Sequence, residues 1–150
     1  MEKLNFPDYE FRIGHSIDNK LLIFDPLRKK EVLLTSEEWV RQHIIRFLID
    51  ERHFPPSLIS VETGLKVNRL SRRYDILVYN REGNPFVLIE CKSPSIPINQ
   101  KTFDQITAYN LAIRAQYLLV SNGKKHFFAN YVTYSKKFQF LEDIPFFENL

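Results

Sequence analysis

The sequence predicts an α/β fold: a mixed β-sheet flanked by helices, preceded by a small antiparallel β extension. Three observations carry this. Short runs of branched and aromatic residues recur along the chain, bounded by turn formers, as strands require. Two longer stretches place their apolar residues at helical spacing instead. The 150 residues, 44% hydrophobic with 13 Phe and seven Tyr, suit one globular core and argue against disorder.

Residues 9–13, 20–24 and 31–34 read as the first three strands, with Asp25-Pro26 and the basic Arg28-Lys29-Lys30 forming an exposed hairpin tip. Thr35-Ser36-Glu37-Glu38 opens a helix running to about residue 52, whose buried face carries Val40, Ile44, Phe47 and Leu48. Pro55 and Pro56 end it, because proline has no N–H for the helical ladder. Strands follow at 58–63, 73–80 and 85–92, the last two joined through Asn80-Arg81-Glu82-Gly83-Asn84 as an antiparallel hairpin. A rigid Ser93-Pro94-Ser95-Ile96-Pro97 loop leads to a second helix at about 99–114, with Phe103, Ile106, Asn110 and Ile113 on one side. Strands 116–121 and 125–132 pair around Asn122-Gly123, and 137–141 adds a last strand. The expected organisation is one domain over 1–150, with a β extension at 1–34 and a core at 35–145.

Several function classes fall away. Cys91 is the one cysteine, so an internal disulfide and a cysteine-based zinc knuckle are excluded. Glycines stand singly at 14, 64, 83 and 123, which rules out a phosphate-cradling loop and, with it, a nucleotide cofactor. The four histidines form no His-Glu-x-x-His helix. No apolar run reaches the roughly 18 residues of a membrane span, and Met1-Glu2-Lys3-Leu4-Asn5 lacks a signal-peptide core, so a soluble cytoplasmic protein without a membrane partner is expected.

The informative region is Arg73-Tyr74-Asp75-Ile76-Leu77-Val78 followed by Val87-Leu88-Ile89-Glu90-Cys91-Lys92. Strand residues two apart share a face, so Glu90 and Lys92 point one way, Ile89 and Cys91 the other. With a loop over 81–84, Asn80 opposes Pro85 and Asp75 falls opposite Glu90 on the same face. Two carboxylates and an ammonium then meet among Ile, Leu and Val. Such neighbours repel unless a cation intervenes, and a hard divalent ion such as Mg²⁺ suits oxygen ligands. An ion-pair cluster on a partly exposed sheet is the alternative.

Asp75 followed by Glu90-Cys91-Lys92 resembles the PD-(D/E)xK nuclease superfamily. Together with Glu38-Trp39-Val40-Arg41-Gln42, Arg73-Tyr74-Asp75, Glu90-Cys91-Lys92-Ser93-Pro94 and Gln105-Ile106-Thr107-Ala108-Tyr109, the pattern resembles the N-terminal nuclease-like domain of type I restriction enzyme R proteins and its stand-alone bacterial relatives, from about residue 30 to 145. Tyr74 stands where that superfamily has proline. The resemblance implies a restriction-endonuclease-like fold and metal-dependent hydrolysis of phosphodiester bonds in DNA, by endo- or exonuclease action. Asp75 and Glu90, with the Cys91 carbonyl, would bind Mg²⁺ or Mn²⁺. Lys92 would position the water, a helix glutamate matching Glu38 would complete the site, and Gln105 and Tyr109 would support it.

Each assignment has a rival. Thr35-x-x-Glu38 is also a capping box, Glu37 borders the same buried face, and Glu62 lies on the strand before Asp75. Thr102-x-x-Gln105 could be a second capping box, although Asn99 is an equally good cap. Arg41 either orients a carboxylate or is surface, and Cys91 reads as a small buried residue rather than a nucleophile. Arg69, Arg72, Arg73, Lys124 and Lys125 are the candidates for DNA phosphates, with Lys124 and Lys125 reading equally as solvated turn charges. The net charge of +3 divides along the chain: residues 1–62 carry nine basic and eleven acidic groups, residues 63–141 twelve and four. A basic stretch around an acidic centre suits a nucleic-acid backbone. The alternative function is a catalytically silent nucleic-acid-binding module, or a dimeric assembly module built on Phe127, Phe128, Phe138, Phe140, Phe146 and Phe147; a second copy or a partner subunit is an expected partner beside DNA.

Overall fold

The computed structural model describes residues 1–61, 64–67, 70–132, 135 and 137–150, without the side chains of 64–67 and 70–73. Its first unit is a three-stranded antiparallel sheet of β1 (Ile13–His15), β2 (Leu21–Asp25) and β3 (Lys30–Leu33). Pairing starts only at Ile13, later than the expected 9–13. Tyr9 and Phe11 instead set their rings beside His43, with Phe11 also against Trp39 and the Arg46 guanidinium over both rings. Burial against a helix thus takes these aromatics out of the ladder. The hairpin tip also differs: Arg28 folds back onto the fully buried Asp25 and is not a solvated tip charge.

Helix α1 (Ser36–Arg52) starts at Thr35, whose hydroxyl accepts the Glu38 N–H at 3.0 Å. It ends where His53 turns left-handed (φ 59°), the Phe54 N–H reaches the Leu48 carbonyl at 2.9 Å, and the prolines begin. Val40, Ile44, Ile45 and Leu48 bury its inner face.

The main sheet has six strands in the order β11-β10-β9-β8-β7-β4. These are β4 (Ile59–Val61), β7 (Ile76–Tyr79), β8 (Pro85–Cys91), β9 (Tyr117–Ser121), β10 (His126–Val132) and β11 (Lys137–Leu141). Among the described strands only β8 and β9 run parallel, joined across the sheet by α2 (Gln100–Ile113). The strand expected at 58–63 forms over Ile59–Val61, its last two positions lying outside the described residues, and the one expected at 73–80 starts later, at Ile76, after an additional hairpin of β5 (Gly64–Val67) and β6 (Leu70–Arg73). Leu70-Ser71-Arg72-Arg73 lacks the continuous apolar character that lets Ile76–Val78 enter the buried sheet.

The sheet separates two apolar clusters. Ile76, Val78, Val87, Ile89, Cys91 and Leu119 pack with α1 and with Leu4 and Phe6. Leu77, Leu88, Leu118 and Val120 pack with Phe103 and Ile106 of α2. Phe128 and Phe147 are buried, which removes them from the expected dimer surface, whereas Phe140 is 54% exposed. No described helix is long and apolar enough to cross a membrane.

Candidate active site

The β7–β8 register sets the geometry. Ile76 pairs with Ile89, Leu77 with Leu88 and Val78 with Val87; continuing by one residue places Asp75 opposite Glu90. Near the turn a bulge shifts the pairing, so Tyr79 rather than Asn80 faces Pro85, without disturbing the far end. Alternation along β8 puts Glu90 and Lys92 on the α2 side of the sheet, opposite to Ile89 and Cys91, while Asp75, in the bend before β7, reaches Arg41 of α1.

At that end three elements converge. The Asp75 Oδ2 accepts the Cys91 N–H at 2.6 Å, and its Oδ1 lies 3.5 Å from Nη2 of Arg41 on α1. The Lys92 Nζ lies 3.2 Å from Glu90 Oε1 and donates to Gln105 Oε1 on α2 at 3.3 Å. The Gln105 amide in turn donates to the Tyr109 hydroxyl at 3.4 Å. Gln105 is available for this because Asn99 and Thr102 cap α2 reciprocally.

Burial raises the Asp75 carboxyl, and the Cys91 N–H, Arg41, Glu90 and Lys92 lower it without cancelling the rise. Burial first, then the Asp75 charge, push Glu90 up to about 7 despite Lys92. The two carboxyl groups are close enough for each to act on the other, Glu90 lowering Asp75 and Asp75 raising Glu90. Burial would lower the Lys92 ammonium, but Glu90 and Asp75 hold it above the ordinary lysine value. The Cys91 thiol is fully buried and raised by that burial, as a packing residue rather than a nucleophile.

Two acidic residues of α1 take different places. Glu38 is buried: Oε1 accepts Arg28 Nη2 at 2.8 Å and Arg41 Nη1 at 3.3 Å, and Oε2 accepts the Gln42 amide at 3.0 Å. It is therefore no capping-box partner, and the Thr35 N–H bonds to the Leu33 carbonyl. Glu37 is half exposed, 3.9 Å from Arg41 Nη2, and close enough to act on Lys92 and Cys91. Glu62 and Arg69, and the side chains of Arg72 and Arg73, lie outside the described residues. Lys124 and Lys125 sit exposed in the turn after Ser121, beside the Cys91–Lys92 end of β8, with Lys124 paired to Glu2 at 3.0 Å. Arg28 was legible only through Asp25 three residues before it.

Among the described residues no group of three His, Cys, Asp or Glu is preassembled for a metal ion. The donor set that is present, the neighbouring carboxyl groups of Asp75 and Glu90, is all oxygen and fits a hard divalent cation.

Residues 36–145 match the family described as type I restriction enzyme R protein N terminus. No curated protein matches the chain. Among solved structures, the chain is similar to a fragment assigned to an HsdR subunit of a type I restriction enzyme from Vibrio vulnificus YJ016, with a TM-score of 0.53 and 21% identity. That alignment covers 75% of this chain and 24% of the other, so the chain spans about a quarter of that fragment, and the likeness concerns the fold.

Proposed function

Because the chain belongs to the family of type I restriction enzyme R protein N-termini, we propose that it is a metal-dependent nuclease module that hydrolyses phosphodiester bonds in DNA. The observation that carries this reading is the meeting of Asp75, Glu90 and Lys92 at one end of the sheet, with Lys92 Nζ 3.2 Å from Glu90 Oε1 and Asp75 Oδ2 2.6 Å from the Cys91 N. Asp75, Glu90 and the Cys91 carbonyl would hold Mg²⁺ or Mn²⁺. When bound, the ion lowers the pKa of its water and offsets charge on the phosphate.

The chain's own residues supply the rest. Lys92, kept charged by its acidic neighbours, donates to an attacking water or a phosphate oxygen. Gln105 fixes that ammonium and Tyr109 fixes Gln105. Arg41 orients Asp75. Glu37, half exposed and 3.9 Å from Arg41, is the helix carboxylate that borders the site, whereas Glu38 is buried between Arg28 and Arg41. The net +8 of residues 63–141, twelve basic against four acidic groups, supports a DNA substrate, with Lys124 and Lys125 at the same end of the sheet. A partner subunit or second copy and a cytoplasmic setting belong to the same reading.

One observation favours the silent module: Arg41 and Lys92 balance the charges of Asp75 and Glu90 within the protein itself. Purified protein is incubated with single-stranded, duplex and branched DNA and Mg²⁺ or Mn²⁺, beside Lys92→Ala and Glu90→Ala. Cleavage lost in both variants is expected. Cleavage that survives both overturns the mechanism, and salt-sensitive binding without cleavage assigns the silent module.

A further inference from the structure

The residues matched by the family begin at 36, yet a side chain from the preceding sheet enters the site's support. We propose that Arg28, at the β2–β3 turn, is a positioning residue for Asp75, acting through Glu38 and Arg41. The inference rests on reading Asp75 as part of the active site.

The path is built from buried groups. Asp25 is fully buried at the end of β2 and accepts the Leu27 N–H at 2.8 Å, the Arg28 N–H at 3.1 Å and the Arg28 Nε at 2.5 Å. This fixes one edge of the Arg28 guanidinium. Its other edge places Nη2 2.8 Å from Glu38 Oε1. The same oxygen lies 3.3 Å from Arg41 Nη1, and Arg41 Nη2 lies 3.5 Å from Asp75 Oδ1. Gln42 holds the remaining Glu38 oxygen, so Glu38 cannot rotate to favour one arginine.

Two arginines sharing one carboxylate oxygen compete for it. With Arg28 taking the shorter contact, Arg41 is held less tightly by Glu38 and keeps Nη2 available to Asp75. Remove Arg28, and Glu38 becomes the stronger partner of Arg41, drawing the fork away from the longer contacts of Nη2, to Asp75 at 3.5 Å and Glu37 at 3.9 Å. A planar guanidinium suits this bridging role because it offers two edges in fixed geometry, which an ammonium does not. Asp75 then loses the cation that fixes Oδ1 while Oδ2 still accepts from Cys91.

The Cys91 amide proton reports Asp75 without any need for turnover. In Arg28→Met it is expected to shift upfield as the Asp75 hydrogen bond lengthens, whereas Lys30→Met on the same hairpin leaves it in place. In a Glu38→Gln background the Arg28→Met shift is largely absent, since the path is already cut. Calorimetric Mn²⁺ binding to Arg28→Met weakens by about 3–10-fold, below the roughly 10–100-fold typical of groups that touch a ligand directly. Arg28→Lys keeps the charge and most of the stem, and covers the case in which Arg28→Met does not fold. A Cys91 amide at its wild-type position in the folded variants overturns the proposal, as does an undiminished shift in the Glu38→Gln background. Wild-type protein that cuts no DNA overturns the nuclease reading instead and leaves the amide result standing.

Discussion

Replacing Glu90 by glutamine should stabilise the protein above neutral pH and do nothing for it in mild acid. Glu90 has a folded pKa of about 7 against 4.5 for the free side chain. A raised folded value means that the folded chain binds the proton more tightly than the unfolded one. The protonated carboxyl therefore contributes its full stability below about pH 4.5, and that contribution is lost as pH rises through about 7. At 1.36 kcal/mol per unit the loss by pH 8 is at most about 3 kcal/mol. Because Glu90 titrates together with Asp75, part of the loss belongs to the pair, and a gain of about 1–3 kcal/mol is expected for Glu90→Gln. In a chain of this length each kcal/mol moves Tm by about 2–4 °C. Thermal unfolding of both proteins in EDTA at pH 5 and pH 8 measures it. A variant less stable than wild type at pH 8, or one with the same gain at both pH values, refutes the reasoning.

Three further outcomes follow from the same coordinates. Mg²⁺ or Mn²⁺ at pH 8 should raise the wild-type Tm, by about 1.4 kcal/mol of stability at ten times Kd, and leave Asp75→Asn and Glu90→Gln unmoved; an equal rise in all three would falsify the metal assignment. Asn110→Ala should cost about 2 kcal/mol in urea unfolding, because its buried amide both donates to and accepts from the Ala115 backbone where α2 ends; a loss within experimental error would mean that water replaces it freely. Gly123→Ala should cost about 1–3 kcal/mol, since φ is +85° and a Cβ would lie 2.8 Å from Leu4 Cδ2, and unchanged denaturant midpoints would show that this turn can relax.

Local rules made the centre of the arrangement legible. Strand parity and a short turn place Asp75 opposite Glu90 and Lys92 beside it, and the bulge at Val78/Tyr79 spares that end of the hairpin. An Asn99 cap was one of two sequence options for α2, and it leaves Gln105 to reach Lys92. What stayed hidden depends on contacts between distant elements. Arg28 looks like a solvated charge beside Lys29 and Lys30 until α1 brings Glu38 to it. Thr35-x-x-Glu38 fits a capping box equally well, and only Arg28, Arg41 and Gln42 decide where that carboxylate goes. Tyr9 and Phe11 have strand-forming side chains, but the rings of Trp39 and His43 attract them more than a neighbouring strand does.

The protein contains its own comparison for separating a structural ion pair from a site prepared for a ligand. Asp25 and Asp75 are both largely buried, both face an arginine and both accept backbone N–H groups. At Asp25, burial raises the carboxyl, but Arg28 and two backbone N–H groups outweigh it and hold the group below its ordinary value. At Asp75 burial wins, even with the Cys91 N–H, Arg41, Glu90 and Lys92 all acting against it. The Asp25 carboxylate is held by a close arginine, with Arg28 Nε 2.5 Å from Oδ2, and by the Leu27 and Arg28 N–H groups. Glu90 stays raised to about 7 although Lys92 lies 3.2 Å from it and Arg41 3.5 Å from Asp75, so burial at this end of the sheet costs stability at neutral pH that the Asp25 pair does not. Divalent-ion binding that fails in Asp75→Asn and Glu90→Gln is what separates the proposed metal centre from an internally balanced ion-pair cluster.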